Sequence, residues 1–326
     1  MSEMELMQLF EGSITDVHGI KVGHAQNRAA RTGVTVVLCG HDGAVGGVDV
    51  RGAAPGTRET DLLRPGNLVE RAHAVVLSGG SAFGLDSAGG VMRYLERKDI
   101  GIDMGVCRVP IVPAAVIYDL AVGDPKVRPD AAMGFSACEH AAKETPQGQV
   151  GAGMGATVGK LVPGGIPQNG GVGSASITLP CGVTVGAIAV VNAAGDIYHP
   201  HTGRLVACAM MEDGTRVPAE SLLYGHVPAV KQKRIQEPTP GQNTTIAVIA
   251  TDAVLSKEQA NRLATVAHDG LARTIRPVHT QMDGDTVFAL ATGRVDADVN
   301  FIQLCALASE VMARAILNGV LAGNTQ

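Results

Sequence analysis

The 326-residue sequence has no tryptophan, and aromatic residues make up 3% of it, so its core must be filled by Ala, Val, Ile, Leu and Met. Charged residues are also sparse at 17%, with no long basic run and a net charge of −5. Phosphate backbones are bound by clustered Lys and Arg, so nucleic acid is not expected as a partner. The one short cluster, Lys231-Gln232-Lys233-Arg234, reads as a solvated loop. The six cysteines, Cys39, Cys107, Cys138, Cys181, Cys208 and Cys305, form no C-x-x-C pair. Neither a metal-ligand spacing nor a redox pair is present, and several of these thiols lie in apolar runs that read as buried. No charged leader precedes an apolar stretch at the start, and no apolar run of about 18 residues suggests a membrane span. The expectation is therefore a cytoplasmic protein without membrane contact. No repeat of fixed period occurs.

What is present is apolar and rich in glycine. Hydrophobic residues reach 45% and glycines number 42. Such a chain can bury a large core and make many close backbone approaches. Short β-branched runs predict strands at 34–39, 74–77 and 187–192, and a helix is expected from Asp86 to Arg97. Residues 195–242 mix Pro, Gly and charge without clear periodicity and read as loop with short elements.

The pattern sharpens at Thr244. Residues 244–250 form a fully apolar strand pattern after two Thr. Ser256 and Gln259 have the spacing of a capping box, opening a helix to about Arg273. A second strand follows at 286–291. A long Ala- and Leu-rich helix then runs from Asn300 to Asn318, ended by Gly319 or by the Gly323-Asn324 tail. The last 83 residues thus read as strand, helix, strand, helix, a unit that begins at Thr244.

Thr244 has an ordinary explanation, since β-branched residues often open strands. It also has a chemical one. A Thr hydroxyl is a poor nucleophile until a base takes its proton. If the bond before it were cut, the new α-amine, with a pKa of about 7.7–8.0, would lie beside that hydroxyl as its base.

Other residues carry similar pairs of readings. Gly151-Ala-Gly-Met-Gly-Ala-Thr-Val-Gly-Lys160 looks superficially like a phosphate loop, but no Gly-Lys-Ser/Thr is present. Ser78 and Ser81 do not form G-x-S-x-G, and no spacing ties a His to either. His199-Pro-His201 lacks a third ligand in register, so neither a metal nor another cofactor is expected. Asp283-Gly284-Asp285 could hold an amine and orient a hydroxyl; Asp-Gly is also a strong signal for a hairpin turn, and both readings can hold at once.

Four ordered segments resemble one family. They are Ile14-Thr-Asp-Val-His-Gly-Ile-Lys-Val-Gly-His24, Asp49-Val-Arg-Gly-Ala-Ala-Pro-Gly-Thr-Arg-Glu-Thr-Asp61, Leu77-Ser-Gly-Gly-Ser-Ala-Phe-Gly-Leu-Asp86 and Asn243-Thr-Thr-Ile-Ala-Val-Ile-Ala-Thr-Asp252. Together they are similar to the self-processing N-terminal-nucleophile hydrolases of peptidase family S58. That family contains D-aminopeptidase/esterases, β-aminopeptidases and nylon-oligomer endohydrolases. The similarity runs from about residue 14 to 318.

The resemblance implies an α/β fold, a four-layer αββα sandwich like N-terminal-nucleophile hydrolases but with different strand connectivity. It implies one hydrolase domain over 1–326, self-cleaved between Asn243 and Thr244 into 1–243 and 244–326. The resulting αβ heterodimer is expected to assemble further, as a tetramer of such pairs. The site residues carried over are Thr244 as nucleophile, Lys160 beside it, Asn192 as oxyanion donor, Asp283 and Asp285, and Tyr118 as a lining phenol. An amide donor of the Asn192 kind is worth about 2.7–4 kcal/mol in comparable hydrolases.

Asn-Thr at the junction, and Asp at both 283 and 285, resemble the nylon-oligomer branch rather than the Gly-Ser peptidases. The implied activity is hydrolysis of linear oligoamides. Two alternatives remain: an aminopeptidase acting on short peptides with β- or D-residues, and an uncut, non-catalytic binding protein of the same fold.

Overall fold

The computed structural model describes residues 8–225 and 243–325. Two sheets stack face to face. The first has five strands in the order Lys21–Asn27, Thr32–Leu38, Ala74–Ser78, Ala114–Val116, Thr57–Arg58. The second has six, in the order Gly171–Thr178, Thr184–Asn192, Thr244–Ala253, Thr286–Val295, Ala44–Val50, Arg71–Ala72. Its pairings are antiparallel except at the centre, where Thr244–Ala253 and Thr286–Val295 run parallel.

Three apolar layers hold the stack together. Alternate residues of the central strands face opposite ways, as the period of two requires. Ile246, Val248, Ala250, Phe288 and Leu290 meet Val37, Val75, Leu77 and Ala115 of the other sheet. Ala247, Ile249, Val287, Ala289 and Ala291 face outward, onto helices Lys257–Thr274 and Phe301–Asn324. Helices Ser87–Arg97 and Ala131–Glu139 cover the outer face of the five-stranded sheet. The architecture is therefore a four-layer αββα sandwich. Thr244–Ala253 lies between layers on both faces and is buried along all ten residues, which explains its unbroken apolar run.

The capping box forms as expected. Ser256 Oγ accepts from Gln259 N and Gln259 Oε1 accepts from Ser256 N. The last helix differs from one of its two expected ends, because it passes through Gly319 and continues to Asn324. Gly319 serves close packing: a Cβ on Gly173 of the neighbouring strand would lie 2.1 Å from Gly319 N and 2.0 Å from Ala315 O. Among the described residues this is the helix long and apolar enough to cross a membrane, yet two thirds of its most apolar stretch (67%) is buried in the sandwich.

Residues 195–225 contain short strands and the helix Ala219–Leu223. The 231–234 cluster, and Gly241 and Gln242 at the junction, lie outside the described residues. All six cysteines are free; Cys39, Cys138 and Cys208 are buried.

Candidate active site

The register of the six-stranded sheet brings distant residues together. Asn192, the last residue of its strand, pairs with Thr244, the first of the next. On the other side Asn243 bridges to Asp283 in parallel, just before the Thr286 strand begins. The strand Ala44–Val50 pairs Val50 with Thr286, and the chain then continues as Arg51-Gly-Ala-Ala54. Arg51 N donates to Asp285 O at 3.0 Å and Ala54 N to Asp283 O at 2.9 Å.

Two donors converge on the Asn243 carbonyl. Thr244 Oγ1 donates to it at 2.5 Å and Gly284 N at 3.0 Å. Thr244 is 2% exposed. Gly284 is required by crowding, since a Cβ there would lie 2.7 Å from Ala54 O and 2.9 Å from Thr244 Oγ1. Asp283-Gly284-Asp285 is accordingly not a hairpin turn. It runs alongside the junction, each residue facing a different partner.

The two aspartates are separated in this way. Asp285 Oδ1 accepts from Thr245 N at 2.7 Å, and its Oδ2 accepts from His279 Nδ1 at 2.8 Å and His279 N at 3.2 Å. Asp283 Oδ2 accepts from Thr280 N and Oγ1 at 2.8 and 2.7 Å. Burial, and then the neighbouring Asp285 charge, push the Asp283 carboxyl up to about 6 against those hydrogen bonds.

Lys160 Nζ donates to Asn192 O at 3.0 Å and to Asn192 Oδ1 at 2.8 Å. Burial pulls this amine down to about 7, opposed by the negative charges of Asp283 and Asp119. Asn192 is wholly buried; its Oδ1 also accepts from Thr157 N at 3.0 Å, and its Nδ2 donates to Tyr118 O at 3.1 Å. These contacts fix the amide plane. From Tyr118 the structure brings the backbone carbonyl to this cluster, while the side chain is half-buried.

Asp119 was not singled out by the sequence, although it follows Tyr118 at the end of an apolar run. It is 2% exposed and accepts from Thr32 Oγ1 at 2.6 Å and Gly80 N at 2.7 Å. Burial raises its carboxyl. No sequence spacing ties His279 to a partner, and its link to Asp285 depends on the fold.

The rival constellations find other roles. Ser78 Oγ is buried without a hydrogen-bond partner among the described residues, so no His activates it. The glycines of 151–159 fit the backbone rather than a phosphate: a Cβ on Gly153 would lie 2.4 Å from Val172 N, and one on Gly159 2.6 Å from Ala209 N. His201 Nε2 pairs with Glu310 Oε1 at 2.6 Å, and no group of three or more potential metal ligands occurs among the described residues.

Peptidase family S58 matches the chain over residues 12–326. The chain belongs to this family. It is 45% identical to an uncharacterized aminopeptidase of Mycobacterium leprae, covering 99% of this chain and 93% of that protein. It is 34% identical to a 6-aminohexanoate-oligomer endohydrolase of Kocuria sp., covering 93% of this chain and 84% of that protein. Among solved structures it resembles the L-aminopeptidase D-Ala-esterase/amidase of Ochrobactrum anthropi, a variant of the N-terminal-nucleophile hydrolase fold, with a TM-score of 0.68 at 20% identity. That match covers 98% of this chain and 90% of the other. Membership makes this S58 chain a hydrolase of amide bonds.

Proposed function

We propose that this S58 chain is the precursor of a threonine amidohydrolase that cuts itself between Asn243 and Thr244 and then hydrolyses linear oligoamides. The observation that carries the reading is the meeting of Thr244 Oγ1 and Gly284 N on one oxygen, the Asn243 carbonyl. The hydroxyl and the carbon it would attack belong to adjacent residues. The Gly284 N–H already points at the oxygen that becomes negative when that carbon is attacked.

In maturation, Thr244 Oγ bonds to the Asn243 carbonyl carbon and loses its proton to a nearby base. The peptide C–N bond breaks, the Thr244 nitrogen takes up a proton, and an ester remains. Water then cleaves the ester, leaving a carboxylate on Asn243 and a free amine on Thr244. In the mature enzyme that amine accepts the hydroxyl proton as Oγ attacks a substrate carbonyl. Asn192 supports the oxyanion, and the acyl-enzyme is hydrolysed by water. Lys160, neutral in part near pH 7, with Asp283 and Asp285, sets the charge balance; Tyr118 lines the cleft. The product is a heterodimer of 1–243 and 244–326 forming one domain, assembled into a tetramer of such pairs in the cytoplasm. It uses no cofactor.

The substrate reading rests on the Asn-Thr junction, on Asp at 283 and 285, and on the relative that hydrolyses 6-aminohexanoate oligomers. The higher identity to a protein named aminopeptidase favours the second reading, removal of residues from short peptides with β- or D-amino acids. Denaturing electrophoresis tests the first step: two pieces of about 243 and 83 residues are expected, and none from Thr244→Ala. A single full-length band from the unmutated chain after long incubation would instead indicate an uncut binding protein. Assay of capped against free-amine oligoamides separates the two enzymatic readings, because only an aminopeptidase requires the free amine.

A further inference from the structure

His279 holds the carboxylate next to the nucleophile strand in an unusual way. Both of its N–H groups, backbone and Nδ1, meet the same Asp285 oxygen. Nε2 is buried and has no hydrogen-bond partner among the described residues. Its backbone also sits at a φ of +56°, in the left-handed region, which is unfavourable for a residue with a Cβ. A buried polar nitrogen left unpaired adds a further cost. A residue that only filled space would carry neither cost.

Behind His279 stands His268, wholly buried on helix Lys257–Thr274. Its ring meets the His279 ring edge-on, with centroids 4.8 Å apart and planes at 73°. Its Nε2 donates to Asp49 O at 3.0 Å. The contacts run without a break from the end of strand Ala44–Val50, through His268, His279 and Asp285, to the backbone N–H of Thr245.

We infer that His279 is a positioning residue for the Thr244 nucleophile, acting through Asp285, which clamps the second residue of the nucleophile strand. The inference rests on the proposed role of Thr244. Asp285 can hold Thr245 N with one oxygen only while the other is fixed, and His279 supplies both groups that fix it. Loss of the clamp lets Thr244 Oγ drift from its line of attack, which lowers the rate without weakening substrate binding.

The full-length chain with His279→Ala and His279→Asn tests this. Asn keeps a side-chain N–H donor and tolerates the left-handed backbone. Self-cleavage per folded molecule is followed by denaturing electrophoresis, with folding checked by cooperative urea unfolding. The Ala variant should cleave at least about tenfold slower, equivalent to about 1.4 kcal/mol in the barrier, and Asn should recover most of the rate. Once matured, the Ala variant should show a lower kcat with KM unchanged. A folded Ala variant that cleaves at the unmutated rate overturns the inference. A folded Asn variant with no self-cleavage overturns it also, and this second test stands even if Ala does not fold. Thr244→Ala is run alongside: cleavage there would sink the nucleophile reading itself, whereas its inertness beside a fully active His279→Ala would sink only the clamp.

Discussion

Asp283→Asn should stabilise the fold while abolishing its chemistry. Asp283 is 3% exposed, and burial beside Asp285 raises its carboxyl from the ordinary 3.8 to about 6. Because its proton is held more tightly in the folded state, the stability it contributes is complete below about 3.8 and is lost as pH rises through about 6. At neutral pH the buried charge therefore costs at most about 3 kcal/mol. Relaxation around the pair reduces this, so the working expectation is about 1–3 kcal/mol. Asn keeps an oxygen for Thr280 N and Oγ1 but carries no charge. The measurement is urea unfolding at several pH values in a Thr244→Ala background, where the proposed self-cleavage is blocked. At pH 8 the Asp283→Asn chain should be the more stable, and the fall in stability between pH 4 and 7 should shrink by the same amount. An Asn variant less stable at pH 8, or an unchanged slope, would refute the argument that a buried charge is being held there for function.

Lys160 gives the opposite sign of titration: its amine sits near 7 instead of 10.5, so the neutral form grows as pH rises through 7. Self-cleavage should climb about tenfold per pH unit below 7 and level off above about 8, while Lys160→Arg, which stays charged, should be slow throughout; a flat profile for the unmutated chain would contradict this. Gly284→Ala places a methyl against Ala54 O and Thr244 Oγ1, and should stop self-cleavage while destabilising the fold by about 1–3 kcal/mol, read by gel and urea midpoint. Asn318, wholly buried, accepts from Phe10 N and donates to Phe10 O and Ser174 O. Asn318→Ala should cost about 1–3 kcal/mol yet leave the cleavage rate per folded molecule unchanged.

Much of the second half of the fold was legible because its signals are local. The run 244–250, the Ser256 and Gln259 cap, and the strand at 286 each declare themselves within a few residues. The end of the last helix was less so, because Gly319 is a stop signal by local chemistry and a packing contact by tertiary structure. The candidate site was suggested only through family resemblance. Nothing in the spacing of Lys160, Asn192 and Thr244 shows that they meet, since their proximity is set by strand register. Asp283-Gly284-Asp285 was open to a turn reading because Asp-Gly favours turns, and only the crowding by Ala54 and Thr244 explains the glycine. The roles of Asp119 and His279 are not visible in the sequence, because Thr32 lies 87 residues from Asp119 and Asp285 is reached by His279 only across a left-handed kink.

The location of the site follows from one topological choice. Parallel strands place their N-terminal ends on the same side of a sheet, and the Lys257–Thr274 helix makes the required crossover between Thr244–Ala253 and Thr286–Val295. The antiparallel neighbours on either side, Thr184–Asn192 and Ala44–Val50, then present their C-terminal ends at that same edge. Four chain ends converge there, and each delivers what a strand interior cannot: Asn192 a terminal amide, Asn243-Thr244 a loop-to-strand junction, Asp283 to Asp285 two carboxylates and a crowded glycine, and Arg51 to Ala54 a backbone wall. A slip of one residue in either central pairing would turn Thr244 to the opposite face and bury its hydroxyl against apolar side chains. The alternating inner and outer layers that stabilise the sandwich therefore also set the direction of the Thr244 side chain. Substitutions that loosen the register, even far along the strands, should slow self-cleavage before they unfold the chain.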